Sequence, residues 1–316
     1  MRAGFRQDWG NPQGSAGDMR NMTRPSTVAV RFWEGRAVFN RLAGAMVRAF
    51  LVMVVIAIPS ALLPGTGADT KQMVALVALF SGALTFVEYK TDYPGLVEFR
   101  DAPPFNRVRF AILFLTVFML TVIEKTHVAP TTLSTLLSAV GIVIGNALDF
   151  PYSPVRLATF MLNDTATEAQ LLAVTTAAGT AYLISILGLA VFVLLLKLRG
   201  WPSRARGGFN VWINLPTFDP TANGDVIVRL ERDARVNIGM GFLLPFFIPA
   251  VVNIGSSGFE PLALTNSQTL IWTMTAWAFL PCSLFMRGIA MGKIADMIRA
   301  ERRVSGIEDG SSYLPA

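Results

Sequence analysis

Val128-Ala-Pro-Thr-Thr-Leu-Ser-Thr-Leu-Leu-Ser-Ala-Val-Gly-Ile-Val-Ile-Gly-Asn-Ala-Leu148 carries no charge and is long enough to cross a bilayer. Its composition is unusual for a span. Thr131, Thr132, Ser134, Thr135, Ser138 and Asn146 interrupt it, and Gly141 and Gly145 stand four residues apart. Whether this segment crosses decides on which side of a membrane every later residue lies.

Six further charge-free stretches flank it, at residues 49–68, 72–87, 110–123, 169–196, 236–259 and 261–286. The stretches at 72–87 and 110–123 are short for a span. They become adequate if Lys71, Arg107, Arg109 and Glu124 turn their charged heads toward the interfaces. The chain has 316 residues, of which 53% are hydrophobic and 15% charged, with a mean hydropathy of +0.49. Soluble domains carry about 25% charged residues, so a water-facing surface for the whole chain is excluded. The fold class is therefore an all-α integral membrane protein.

The distribution of Lys and Arg chooses between two topologies, because short cytoplasmic loops are enriched in both. If all seven stretches cross and the N-terminus is cytoplasmic, 13 basic residues fall inside and 14 outside. If residues 128–148 enter the membrane without crossing, 24 fall inside and only Lys71, Lys125 and Arg156 outside. This predicts six transmembrane helices plus one re-entrant or marginal segment, with both termini cytoplasmic; seven spans is the alternative. The Gly141/Gly145 spacing suits close helix contact. Asp149-Phe-Pro-Tyr-Ser-Pro154 supplies a turn, and residues 154–162 form a short returning piece.

The net charge of +6 and pI near 9.8 follow from basic residues placed beside apolar segments. That placement points to a bilayer containing anionic lipids and not to nucleic acid. Eight arginines precede the first apolar run, whose leader is far too long for a secretory n-region, so that run reads as an uncleaved first span. Three regions follow: residues 1–40 as a cytoplasmic basic leader, disordered over 1–27; residues 41–304 as the polytopic helical domain; residues 305–316 as a polar tail. Residues 28–48 suit an interfacial helix running into the first span. The loop at 89–109 mixes four bases, three acids and several aromatics, which suits an ordered cap, a docking surface or an interfacial loop. For residues 197–235 a hairpin and a helix capped by Asp225 compete, with the helix favoured.

Chemistry-bearing motifs are scarce. His127 is the only histidine and Cys282 the only cysteine, so a His/Cys metal site cannot be assembled. Gly255-Ser-Ser-Gly258 is similar to the Gly-x-Ser-Gly of rhomboid-type intramembrane proteases, but no histidine follows to activate a serine, and the match is read as a helix-end turn. There is no phosphate-binding loop. Asp92, Glu98 and Asp101 are read as partners of nearby arginines. The spans hold no ionisable group away from their ends, which disfavours ion coupling. No catalytic, cofactor or metal residues are assigned, and no enzyme activity is expected.

The expected function is that of an accessory, assembly or structural subunit that binds other membrane components, through a membrane-protein partner or as a homo-oligomer. The Arg-rich composition and absence of an organelle address make a bacterial inner membrane the default. The alternative is a channel or permease for a neutral or lipophilic solute. In that reading Pro245, Pro249, Asn253, Pro281 and Asn146 line its cavity.

Overall fold

The computed structural model describes residues 27–92, 95–100, 104–163, 165–202, 214–216, 218, 224–256 and 264–304, with backbone alone for 27–40 and 256. All regular elements among them are helical. They are α1 (Thr27–Leu62), α2 (Ala68–Lys90), α3 (Phe105–Val128), α4 (Thr132–Leu148) and α5 (Pro154–Ala158), which runs into a 3-10 turn (Thr159–Met161). Then come α6 (Glu168–Arg199), α7 (Val226–Ser256) and α8 (Ser267–Val304). Residues 1–44 and 45–316 form two compact units, and the architecture below is that of the second. The predicted disorder of residues 1–27 and the polar tail lie outside the described residues, except for Thr27.

Among the described residues five helices are long and apolar enough to cross a membrane: the 41–62 part of α1, α2, α6, α7 and α8; α4 is a shorter apolar helix, and α3, expected to cross from its 110–123 stretch, is not among the five. The chain is an all-α integral membrane protein. Its backbone amides are satisfied within helices, the one open-ended secondary structure hydrocarbon tolerates.

Two buried clusters give each helix a direction. One gathers Val55 and Ile58 of α1, Val117 and Leu120 of α3, Val155 and Ala158 of α5, Val174 to Ala181 of α6 and Leu270 to Ala278 of α8. The other gathers Phe105, Val108 and Ile112 of α3, Phe192 and Leu196 of α6, Ile227 to Ala234 of α7 and Cys282 to Ala295 of α8. Helix α3 starts in the second cluster and ends in the first, whereas α6 does the reverse. The two are antiparallel, so α4 and α5 together return the chain to the end where α3 finished. Helix α4, 17 residues long, spans about 25 Å, short of the roughly 30 Å hydrocarbon core.

Local chemistry explains this excursion. Thr131 and Ser134 form a reciprocal capping box that starts α4 immediately after α3. After Leu148, Tyr152 takes a left-handed conformation (φ 65°), Ser153 caps α5 and Pro154 occupies its first turn. Arg156 Nε donates to Asp149 Oδ1 at 2.8 Å and clasps the turn. The turn predicted at 149–154 is therefore present.

Gly141 and Gly145 face α6. A Cβ at Gly145 would stand 2.8 Å from the Thr175 carbonyl oxygen, and one at Gly179 only 2.6 Å from Gly145 Cα. Residues 174–181 of α6, Val-Thr-Thr-Ala-Ala-Gly-Thr-Ala, are buried without a break because α3, α4, α5 and α8 pack on α6. A helix enclosed on several sides can carry only small residues if its neighbours are to approach closely. Gly288 and Gly292 of α8 also stand four residues apart, but they divide: Gly288 sits against the Ala234 carbonyl and Ile238, while Gly292 meets nothing within 4 Å.

The Asp225 reading holds and the hairpin does not. Asp225 Oδ1 accepts from the Ile227 N–H at 3.2 Å, and α7 runs unbroken from Val226 to Ser256. Arg302 of α8 pairs with Asp225 at 2.8 Å and Arg299 pairs with Glu231, tying the start of α7 to the end of α8. Residue 256 closes α7; residues 257 and 258 of the Gly-Ser-Ser-Gly turn lie outside the described residues.

Candidate functional site

Two polar arrangements stand out from the apolar bundle. The first is built by the loop after α2. Glu88, in the last turn of α2, is 9% exposed, and its Oε2 accepts from the N–H groups of Gly95 (3.1 Å), Leu96 (3.0 Å) and Val97 (3.2 Å). Three successive amides converging on one oxygen make an anion-holding nest, here filled by the protein's own carboxylate. Arg100 closes the opposite side by donating to the carbonyls of Glu88 (3.1 Å) and Thr91, which the end of α2 leaves without helical donors.

This folding projects the next two side chains into the bundle. Phe99, fully buried at φ 53°, packs on Phe105 with ring centres 4.2 Å apart and planes tilted by 43°, and its N–H donates to the Asn214 carbonyl at 2.7 Å. Glu98 takes a two-point grip on Arg287 of α8, at 2.6 Å from Nε and 2.9 Å from Nη2. Planar bidentate pairs of this kind fix geometry as well as charge. Arg109 lies one turn beyond Phe105, its guanidinium over the Phe105 and Phe279 rings at 5.4 and 5.9 Å, with Nε buried and unpaired. Of the three readings of the 89–109 loop, the described residues 95–100 match an ordered cap.

One expectation is extended and another corrected here. Glu98 has a bidentate partner in Arg287, 189 residues away. Asp101 lies outside the described residues. Arg109 and Glu124 do not swing out to the interface: the Arg109 Nε is buried and Glu124 is 6% exposed. Both occupy the inward face of α3, where aromatic rings in one case and the start of α8 in the other offer better surroundings than lipid. Glu88 carried no signal in the sequence beyond the Pro94-Gly95 turn dipeptide that follows it.

The second arrangement is a cleft of about 240 Å³ between α6, α7 and α8. Prolines shape it. Pro249 has no N–H, so the Pro245 carbonyl four residues earlier loses its helical donor; Trp277 Nε1 of α8 supplies one at 3.0 Å. Pro245 in turn leaves the Gly241 carbonyl without its own donor. Tyr182, Ser185, Gly241, Phe242, Pro281 and Cys282 are among the lining residues, and Cys282 Sγ donates to the Ser185 carbonyl at 3.3 Å.

No protein-family model, curated protein or solved structure matches the chain.

The polar residues expected on a cavity are placed otherwise. Pro245 and Pro281 line the cleft, whereas Asn146 and Asn253 do not. Asn146 is exposed on α4, and Asn253 Nδ2 donates to the Phe160 carbonyl of the 3-10 turn at 2.7 Å, fastening the end of α7 to the returning piece. His127 is exposed at the end of α3. No group of three or more His, Cys, Asp or Glu side chains able to hold a metal occurs among the described residues.

Proposed function

We propose that this protein is an accessory or assembly subunit that works by lateral association with another membrane component, a protein partner or a second copy. The observation that carries this reading is the isolation of α2. Only Ala78, Gly82 and Glu88 of its 23 residues are buried. Met73, Leu76, Val77, Leu79, Phe80, Leu84 and Val87 are exposed around it. Gly82 seats against Met53 and the Ala49 carbonyl of α1, a narrow seam for a helix of this length. Packing between spans depends on close contact of this kind, since lipid is as apolar as the side chains.

In this reading the protein sits in a bacterial inner membrane and makes six crossings, with α4 entering from the outer face. The placement of 24 Lys and Arg on one side against three on the other supports cytoplasmic termini, and the antiparallel run of α3 and α6 supports the non-crossing α4. Purification in mild detergent should retain a stoichiometric partner or yield a dimer, and Phe80→Ser with Leu84→Ser should release it. A monodisperse monomer without a partner sinks the reading.

The cleft between α6, α7 and α8 favours a second reading, a permease for a neutral or lipophilic solute. Reconstituted vesicles should then show protein-dependent flux of such solutes. Flux equal to that of protein-free vesicles removes it.

A further inference from the structure

We propose that the cleft between α6, α7 and α8 binds an uncharged lipophile bearing a single hydroxyl head. The chemistry of its lining selects this class. Ile186, Leu189, Phe242, Pro245, Phe246 and Phe285 supply apolar walls, and no charged side chain lines it. A charged head placed there would lose its hydration without a counter-charge.

The cleft is not uniformly apolar. Ser185 is 4% exposed and its Oγ has no hydrogen-bond partner. A helical serine ordinarily bonds back to the carbonyl four residues earlier, and Ser185 does not do so on Ala181. Tyr182, which carries a phenol, and Gly241, whose carbonyl Pro245 deprives of its helical donor, belong to the same lining. Hydroxyl donors and a carbonyl acceptor in one apolar cleft match a ligand group that both donates and accepts. An alkane would leave Ser185 unpaired.

Size and access agree with a small amphiphile. A dry cavity of about 150 Å³ accommodates benzene, and drug-sized ligands need roughly 300 Å³ or more. At about 240 Å³ the cleft suits a ligand between these limits. Ile186 and Phe242 on its lining are 44% and 60% exposed, which places the entrance on the lipid-facing side of the bundle.

The site stands apart from the partner reading, since a monomer can bind a lipophile and a partner subunit need not. Binding of tritiated 1-octanol to the protein in nanodiscs tests it. Saturable binding at one per chain is expected above protein-free nanodiscs. Ser185→Ala should raise the dissociation constant about five-fold, the equivalent of one hydrogen bond of about 1 kcal/mol. Unlabelled octane should displace the label at least about five-fold less well than unlabelled octanol, for the same reason. Leu189→Trp, which fills the cleft, should abolish the saturable component. Without ligand, Ser185→Ala removes an unpaired hydroxyl and should leave the unfolding midpoint unchanged or raised. No saturable component, an unchanged constant in Ser185→Ala, or equal displacement by octane overturns the proposal. So does a ligand-free Ser185→Ala protein of lowered midpoint, which would make Ser185 structural.

Discussion

At the residue scale, the polar groups of this protein act mostly by supplying hydrogen bonds that a helical chain cannot make for itself. Trp277 is the clearest case, because its indole replaces the donor that Pro249 removed from the Pro245 carbonyl. Trp277→Phe should cost about 1–2 kcal/mol, the cost of an orphaned buried carbonyl. In a Pro249→Ala background the backbone donor returns, and the same substitution should cost clearly less; equal costs in both backgrounds would remove the explanation. Glu98 and Arg287 join the loop after α2 to α8, with both side chains largely sheltered. Glu98→Ala, Arg287→Ala and the double variant should show a coupling of about 2 kcal/mol when unfolded by denaturing detergent, in the range of hydrogen bonds between charged groups. Asp225 offers a test by pH. The Ile227 N–H, and then Arg302, hold its carboxyl below the usual range. Its contribution is therefore present above the unfolded value of about 3.9 and lost as pH falls through the depressed folded value. Thermal midpoints of wild type and Asp225→Asn, which keeps the cap but not the charge, should differ at pH 7 and converge toward pH 3.

At the element scale, α4 and α6 are held by backbone proximity and not by large side chains. A Cβ on Gly145 would press on the Thr175 carbonyl, which belongs to a helix enclosed by its neighbours and has nowhere to move. Gly145→Ala should cost about 1–3 kcal/mol, as overpacking of a close interface does. Gly292→Ala is the matched control. Nothing lies within 4 Å of its added methyl, and a helix interior gains up to about 1 kcal/mol when glycine becomes alanine. Opposite signs for the two changes in one denaturation assay check the assignment of contacts. From the sequence, Gly288-x-x-x-Gly292 and Gly141-x-x-x-Gly145 look equivalent; a spacing of four says that two glycines share a helix face, not that a neighbour occupies it. The same limit hid residues 174–181 of α6. Small residues in an apolar stretch suit a lipid-facing helix or an enclosed one, and only the arrangement of α3, α4, α5 and α8 makes them enclosed.

At the scale of the whole molecule, direction along the bundle counts crossings. Helices α3 and α6 run oppositely, so the α4–α5 excursion begins and ends at one end of the bundle. A reporter fused near Asn163 and another near Asn223 should fall on opposite sides of the membrane, the first outside and the second inside. Asn163 inside with Asn223 outside would make α4 a crossing helix. The sequence by itself determined the all-α membrane class, five of the stretches able to cross, the Asp149–Pro154 turn and the helix that starts after Asp225. Each of these rests on composition or on contacts between residues a few positions apart. Tertiary structure alone decided which glycines are used, where Glu98 finds its partner, that Glu88 gathers the loop behind it, and that Ser185, Tyr182 and Gly241 share a cleft while Asn146 and Asn253 do not line it. Those outcomes depend on groups brought together from tens to hundreds of residues apart, and no local preference in an apolar helix specifies which of its faces meets which neighbour.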